Sequence, residues 1–143
     1  MANDKNIYSS TTPTSLTVSG LATLANSSSA TSAMIDNSSN GYPEYRIEVT
    51  ISTASGAVAT GIVEVWAKGS IDNTDFDDDT GDWFVGSVLL ATAGVQTRIK
   101  TFGIASSFGG WTPPYLKIRL RNATGAALTA GTVTYIGITS GSV

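Results

Sequence analysis

The chain has 143 residues, 41% of them hydrophobic and only 13% charged, with no His, no Cys and a net charge of −3. That length suits a single domain able to bury one core without crosslinks. The missing His and Cys remove disulfides, thiolate nucleophiles, cysteine metal sites and the commonest general base, and the acidic balance gives no electrostatic pull toward nucleic acid, whose binding rests on Lys and Arg.

Met1-Ala2-Asn3-Asp4-Lys5 shows no basic region followed by an apolar stretch, so no signal peptide is expected. No run approaches the roughly 18 apolar residues of a bilayer span, so a membrane is not an expected partner. Residues 1–30 are rich in Ser, Thr, Ala and Asn, with Leu16, Val18, Leu21 and Leu24 to bury. They predict an extended N-terminal arm with one short strand over 15–19 that orders by docking, which makes Leu16 and Val18 candidate interface residues. A second short strand is expected within 31–36, stopped by the turn formers Asn37-Ser38-Ser39-Asn40-Gly41. Over 45–53 apolar and polar residues alternate without a fault, which sends Ile47, Val49 and Ile51 to a dry face. The segment 62–68 sets Val63, Val65 and Ala67 against Glu64, Trp66 and Lys68. Segments 83–91 and 95–102 flank Thr92-Ala93-Gly94, a spacing that suits a hairpin. Residues 115–121 set Leu116, Ile118 and Leu120 against Lys117, Arg119 and Arg121, and 132–139 form the last expected strand. About eight strands, Gly-rich turns and no helical periodicity predict an all-β fold spanning 31–143, an antiparallel β-sandwich of jelly-roll type with a flattened barrel as the alternative, the strand order being left open.

The segment 71–82 holds six of the eleven acidic residues. Like charges about 4 Å apart repel by on the order of 1 kcal/mol in water, so the cluster needs a physical reason. Asp75, Asp77 and Asp79 alternate, with Gly81 after them, much as calcium loops space hard oxygen ligands, although the glycine falls one place late and no bidentate Glu follows. Ca²⁺ is thus the one cofactor the sequence suggests. Against it stand a solvated loop whose Asp and Asn side chains cap their own turns, and a surface that meets a basic partner. Arg98 and Lys100 share a face of one strand, as Lys117, Arg119 and Arg121 do on the next; as neighbours they would form a cationic ridge suited to phosphate. The alternative is charge balance with Glu48, Glu64 and the Asp loop, within the sheet or across a subunit contact. Trp66, on a charged face, reads either as an interface anchor or as a locally packed ring. Trp83 and Trp111 are expected to plug the ends of the sandwich. The run from Phe108 to Pro114 is expected to form a rigid corner, with a sugar-stacking Trp as its functional alternative. Asp79 and Asp82 could in principle pair for glycoside hydrolysis, but a loop without a sheltering cleft does not suit that chemistry, and no enzyme is expected.

The stretches 65–76, 102–110 and 113–128, with Met34-Ile35-Asp36-Asn37-Ser38-Ser39-Asn40 before them, resemble small structural proteins encoded among the virion genes of tailed bacteriophages. The resemblance covers most of the chain from about Ala33 and rests on strand-and-turn signatures. It implies a β-sandwich located on the virion, as a capsid decoration or cement subunit or a tail-associated component, with the major capsid protein or other virion proteins as partners. It also implies homo-oligomers, of which a trimer is one form, and it brings no catalytic residues. A carbohydrate-binding or host-adhesion module on a tail or fibre is the competing expectation.

Overall fold

A computed structural model describes residues 4–8 and 13–142, with side chains described from Pro13 to Ile138. The expected arm's residues 1–3 and 9–12 lie outside that description. Ten strands appear among the described residues: β1 (Asp4–Tyr8), β2 (Thr14–Leu16), β3 (Ser29–Thr31), β4 (Ile35–Asp36), β5 (Glu44–Thr53), β6 (Ile62–Ser70), β7 (Trp83–Leu89), β8 (Thr97–Gly103), β9 (Tyr115–Ala123) and β10 (Leu128–Ser142). Two sheets result, one in the order β1-β10-β5-β8 with β2 also on β10, the other β3-β9-β6-β7 with β4 also on β9. β1 and β2 share one position along β10, and β3 and β4 share one along β9, so ten strands fill eight places in the winding order of a jelly roll. No helix among the described residues is long and apolar enough to cross a membrane.

The alternating pattern does its expected work. Ile47, Val49 and Ile51 on β5 meet Val63, Val65, Leu116, Ile118 and Leu120 from the other sheet in one buried cluster. Each such side chain contributes about 1.5–3 kcal/mol by leaving water, which is enough to specify the register.

Three expectations need correction. Leu16 is buried in the chain's own core with Leu21, Leu24 and Ala30, and Val18 packs against that core, so residues 13–30 are part of the sandwich and not a free arm. The cause is spacing: the leucines are sparse in sequence, yet short strands and a one-turn 3₁₀ helix at Leu21–Thr23 bring each to the same interior. Next, β7 and β8 do not form a hydrogen-bonded hairpin. β7 pairs with β6 and β8 with β5, so residues 90–96 turn the corner from one sheet to the other. Finally, β8 and β9 lie in opposite sheets, so Arg98 and Lys100 cannot share a ridge with Lys117, Arg119 and Arg121. Arg98 Nε instead donates to the Leu89 carbonyl (3.1 Å) and Lys100 Nζ to the Ser87 carbonyl (2.9 Å), covering acceptors on the open edge of β7.

Candidate functional site: an aromatic cleft beside the acidic loop

Register on the outer face of the β9-β6-β7 sheet explains the acidic loop. Glu64 lies opposite Arg121, Trp66 opposite Arg119 and Lys68 opposite Lys117. The first pair is complementary and bonded at 3.4 Å. The last sets two ammonium groups side by side, a destabilising arrangement unless an anion intervenes. Residues 71–82 supply it. Lys68 Nζ, in a residue only 6% exposed, donates to Asp79 Oδ1 at 2.5 Å and to the Asp77 carbonyl at 3.0 Å. Arg119 grips Asp82 with two bonds, Nε to Oδ2 at 2.6 Å and Nη2 to Oδ1 at 3.2 Å, and reaches Ser29 Oγ with Nη1. The Asp82 bond raises the Arg119 guanidinium further above its already high value. Lys117 Nζ sits 4.2 Å over the Phe76 ring.

Most remaining carboxylates of the loop satisfy local backbone. Asp72 Oδ1 accepts from Ser70 Oγ, Thr74 N and Asp75 N, and Asp78 Oδ1 accepts from Thr80 Oγ1, Thr80 N and Gly81 N. Those hydrogen bonds hold both carboxyls below their ordinary value. The suggested calcium ligands are thereby parted: Asp79 goes to Lys68, Asp77 Oδ2 accepts from Gly69 N at 2.9 Å, and Asp75 lines a cleft. Among the described residues no group of three or more His, Cys, Asp or Glu is arranged to hold a metal. Asp79 and Asp82, considered as a hydrolytic pair, are both engaged by cations.

Trp66 is partnered within its own sheet. Its indole Nε1 donates to Glu64 Oε2 (3.2 Å), its ring meets Phe84 edge-on at 5.0 Å, and the Arg119 guanidinium lies 5.2 Å from it. A β-bulge between Val65 and Trp66 shifts the β6-β7 register so that Phe84 faces Trp66 and Trp83 falls opposite Ala67, at the mouth of the sandwich.

Trp83 and Trp111 do not plug the sandwich: they are 48% and 52% exposed. They flank an open cleft of about 330 Å³ lined also by Gly69, Ser70, Ile71, Asp75, Asp77, Phe108 and Pro113. Phe108 is buried between them, its ring centroid 5.7 Å from that of Trp83 and 6.2 Å from that of Trp111. A one-turn 3₁₀ helix, Ala105–Phe108, carries Phe108 and ends in Gly109 and Gly110, both with positive φ, which turn the chain to present Trp111. The corner is tied to the start of β5. Glu44 Oε1 accepts from Ile104 N and Ala105 N (2.8 Å each), and Thr112 Oγ1 donates to the Pro43 carbonyl at 2.8 Å. Gly69 packs closely on the other side: a Cβ there would stand 3.1 Å from the Phe108 ring and 3.2 Å from the Pro113 ring. Glu44 and Gly69 carried no sequence signal for this role, since each acts on residues distant in the chain.

No family model matches the chain, and no curated protein matches it. Among solved structures, a latent aurone synthase (polyphenol oxidase) overlaps 85% of this chain and 26% of its own at 15% identity and a TM-score of 0.47. A ruminal GH26 endo-β-1,4-mannanase overlaps 93% and 21% at 10% identity and 0.43. The xylan-binding module CBM15 overlaps 96% and 92% at 18% identity and 0.43. The chain thus spans about a fifth to a quarter of the first structures it matches. Likeness at this level fixes neither ligand nor reaction.

Proposed function

We propose that the chain is a carbohydrate-binding module, a binder and not a catalyst, that holds a sugar chain in the cleft between Trp83 and Trp111. The observation that carries this reading is the pair of half-exposed indoles set on either side of Phe108. Exposed large rings converging on one concavity are a binding surface by default, because hydrating them is unfavourable and a partner removes that cost. A pyranose ring has an apolar C–H face that suits indole and phenyl faces, and hydroxyls at its rim that donate to the carboxylates of Asp75 and Asp77. The cleft volume lies at the small end of the roughly 300–1,000 Å³ usual for ligand sites, and the hydrogen bonds that hold its floor to β5 limit the ordering cost of binding.

A glycan array probed with the wild-type protein and with Trp111→Ala, Trp83→Ala and Trp66→Ala tests the reading. Loss of either cleft indole should weaken binding about tenfold or more, the factor that about 1.4 kcal/mol represents, while Trp66→Ala leaves it intact. Binding that survives both cleft substitutions would place the ligand elsewhere.

A second reading, attachment to a virion as a decoration or tail-associated subunit, draws on a different surface. Leu89, Val95 and Ile99 are more than half exposed along the corner where β7 passes to β8, and β8 is an edge strand that a neighbouring subunit could extend. Locating the subunit by electron microscopy on purified particles tests it, and the two readings are compatible in a host-adhesion subunit.

A further inference from the structure

We infer that the cleft selects uncharged sugar chains and turns away anionic ones. This rests on the glycan reading of the same cleft and concerns what the acidic residues at its edge do for the choice of ligand. Polar groups facing the cleft are hydrogen-bond acceptors: the carboxylates of Asp75 and Asp77, beside Ser70, whose hydroxyl donates its proton to Asp72 Oδ1 (3.0 Å). Asp75 lines the cleft and makes no side-chain hydrogen bond or ion pair among the described residues, which leaves its carboxylate available to a ligand. Among the described residues no Lys or Arg lines the cleft. The nearby cations are engaged behind it, Lys68 on Asp79, Arg119 on Asp82 and Lys117 over the Phe76 ring.

Sugar hydroxyls are donors, and donors to a carboxylate form the stronger, charge-assisted class of hydrogen bond. A uronate, sulfate or phosphate on the same ring would bring a second negative charge within a few ångströms of Asp75 and Asp77, with no cationic side chain among the lining residues to meet it. At a separation of about 6 Å and a dielectric between those of protein surface and water, that repulsion amounts to about a tenfold loss of affinity per charge. The arrangement is selection by repulsion, built from the same residues that attract the neutral ligand.

Matched polymers that share a backbone and differ in charge give the test: hydroxyethyl cellulose against carboxymethyl cellulose, methyl-esterified pectin against polygalacturonate, and propylene glycol alginate against alginate, compared by affinity electrophoresis. For every pair that is bound, the uncharged member should bind about tenfold tighter at low salt, with the gap narrowing as added salt shortens the screening length. The double variant Asp75→Asn, Asp77→Asn should narrow it as well. Equal or tighter binding of the anionic member, abolished by Trp111→Ala, would overturn the inference while leaving the glycan reading in place. Absence of binding to these pairs and to a neutral glycan array would overturn both.

Discussion

Replacing Arg119 with Met leaves the Asp82 carboxylate, whose side chain is 1% exposed, without the guanidinium that holds it by two bonds of 2.6 and 3.2 Å. Removing one member of a buried ion pair costs about 3–5 kcal/mol, because the partner charge stays desolvated and unpaired. The near-complete burial of Asp82 puts Arg119→Met in the upper part of that range, with a further small loss from Asp79, which sits 3.7 Å from the same guanidinium. Asp82→Ala should be milder, about 2–3 kcal/mol, since Arg119 keeps Asp79, the Ser29 hydroxyl and the face of Trp66. Replacing both, Arg119→Met with Asp82→Leu, should return stability to within about 1 kcal/mol of wild type, because two apolar groups of similar size need no partner. Urea unfolding followed by tryptophan fluorescence, with the slope m unchanged across variants, reads all three values. An Arg119→Met cost below about 1 kcal/mol, the range of exposed pairs, or an Asp82→Ala cost above that of Arg119→Met, would refute the claim that this outer face is a desolvated ionic layer.

Deleting residues 1–30 removes Leu16, Leu21, Leu24 and Ala30 from the core; at about 1.5–3 kcal/mol for each leucine the loss rivals a typical net stability of about 5–15 kcal/mol, so the remainder should show no cooperative thermal transition. A sharp transition near that of the full chain would show the segment to be an appendage. The Lys68 ammonium bonded to Asp79 holds that carboxyl below its ordinary value of 3.8, and the bonds from Thr80 and Gly81 do the same for Asp78. A folded value depressed below the unfolded one stabilises above about pH 4, and the contribution disappears as pH falls through the lower folded value. Acid titration should therefore change tryptophan fluorescence below about pH 4 while far-ultraviolet strand bands persist; simultaneous loss of both signals would contradict a loop that detaches first. Gly69→Ala pushes a methyl against Phe108 and Pro113, and should cost about 1–3 kcal/mol as overpacking with weakened glycan binding; unaltered binding would show that the floor tolerates displacement.

The strands β5, β6 and β9 were legible because each alternates along one dry face, without a fault in β5 and with breaks from Lys68 on in β6 and at Arg119 in β9, where the cations are themselves buried. Pairing was not legible, since a run such as 83–102 reads identically whether its halves pair with each other or separate into two sheets. The loop's acidity showed in the sequence but its cause did not: only the β6-β9 register reveals that Lys68 stands opposite Lys117 and needs an anion. The cleft was the least visible feature. Its walls come from three distant segments, and the register shift between β6 and β7 at Val65 and Trp66 decides which residue Trp83 stands opposite. The sparse leucines of residues 16–24 were not legible as core because their polar neighbours dominate the composition, although each of the three reaches the interior.

The most direct measurement follows the three indole N–H signals in a proton–nitrogen correlation spectrum while soluble neutral oligosaccharides are added. Trp83 and Trp111 should shift in a saturable way with one shared affinity, and Trp66, held by Glu64 on the outer face of the sheet, should stay in place. Three unmoved signals across a broad set of neutral oligosaccharides, or a shift confined to Trp66, would contradict the assignment of this cleft to sugar binding.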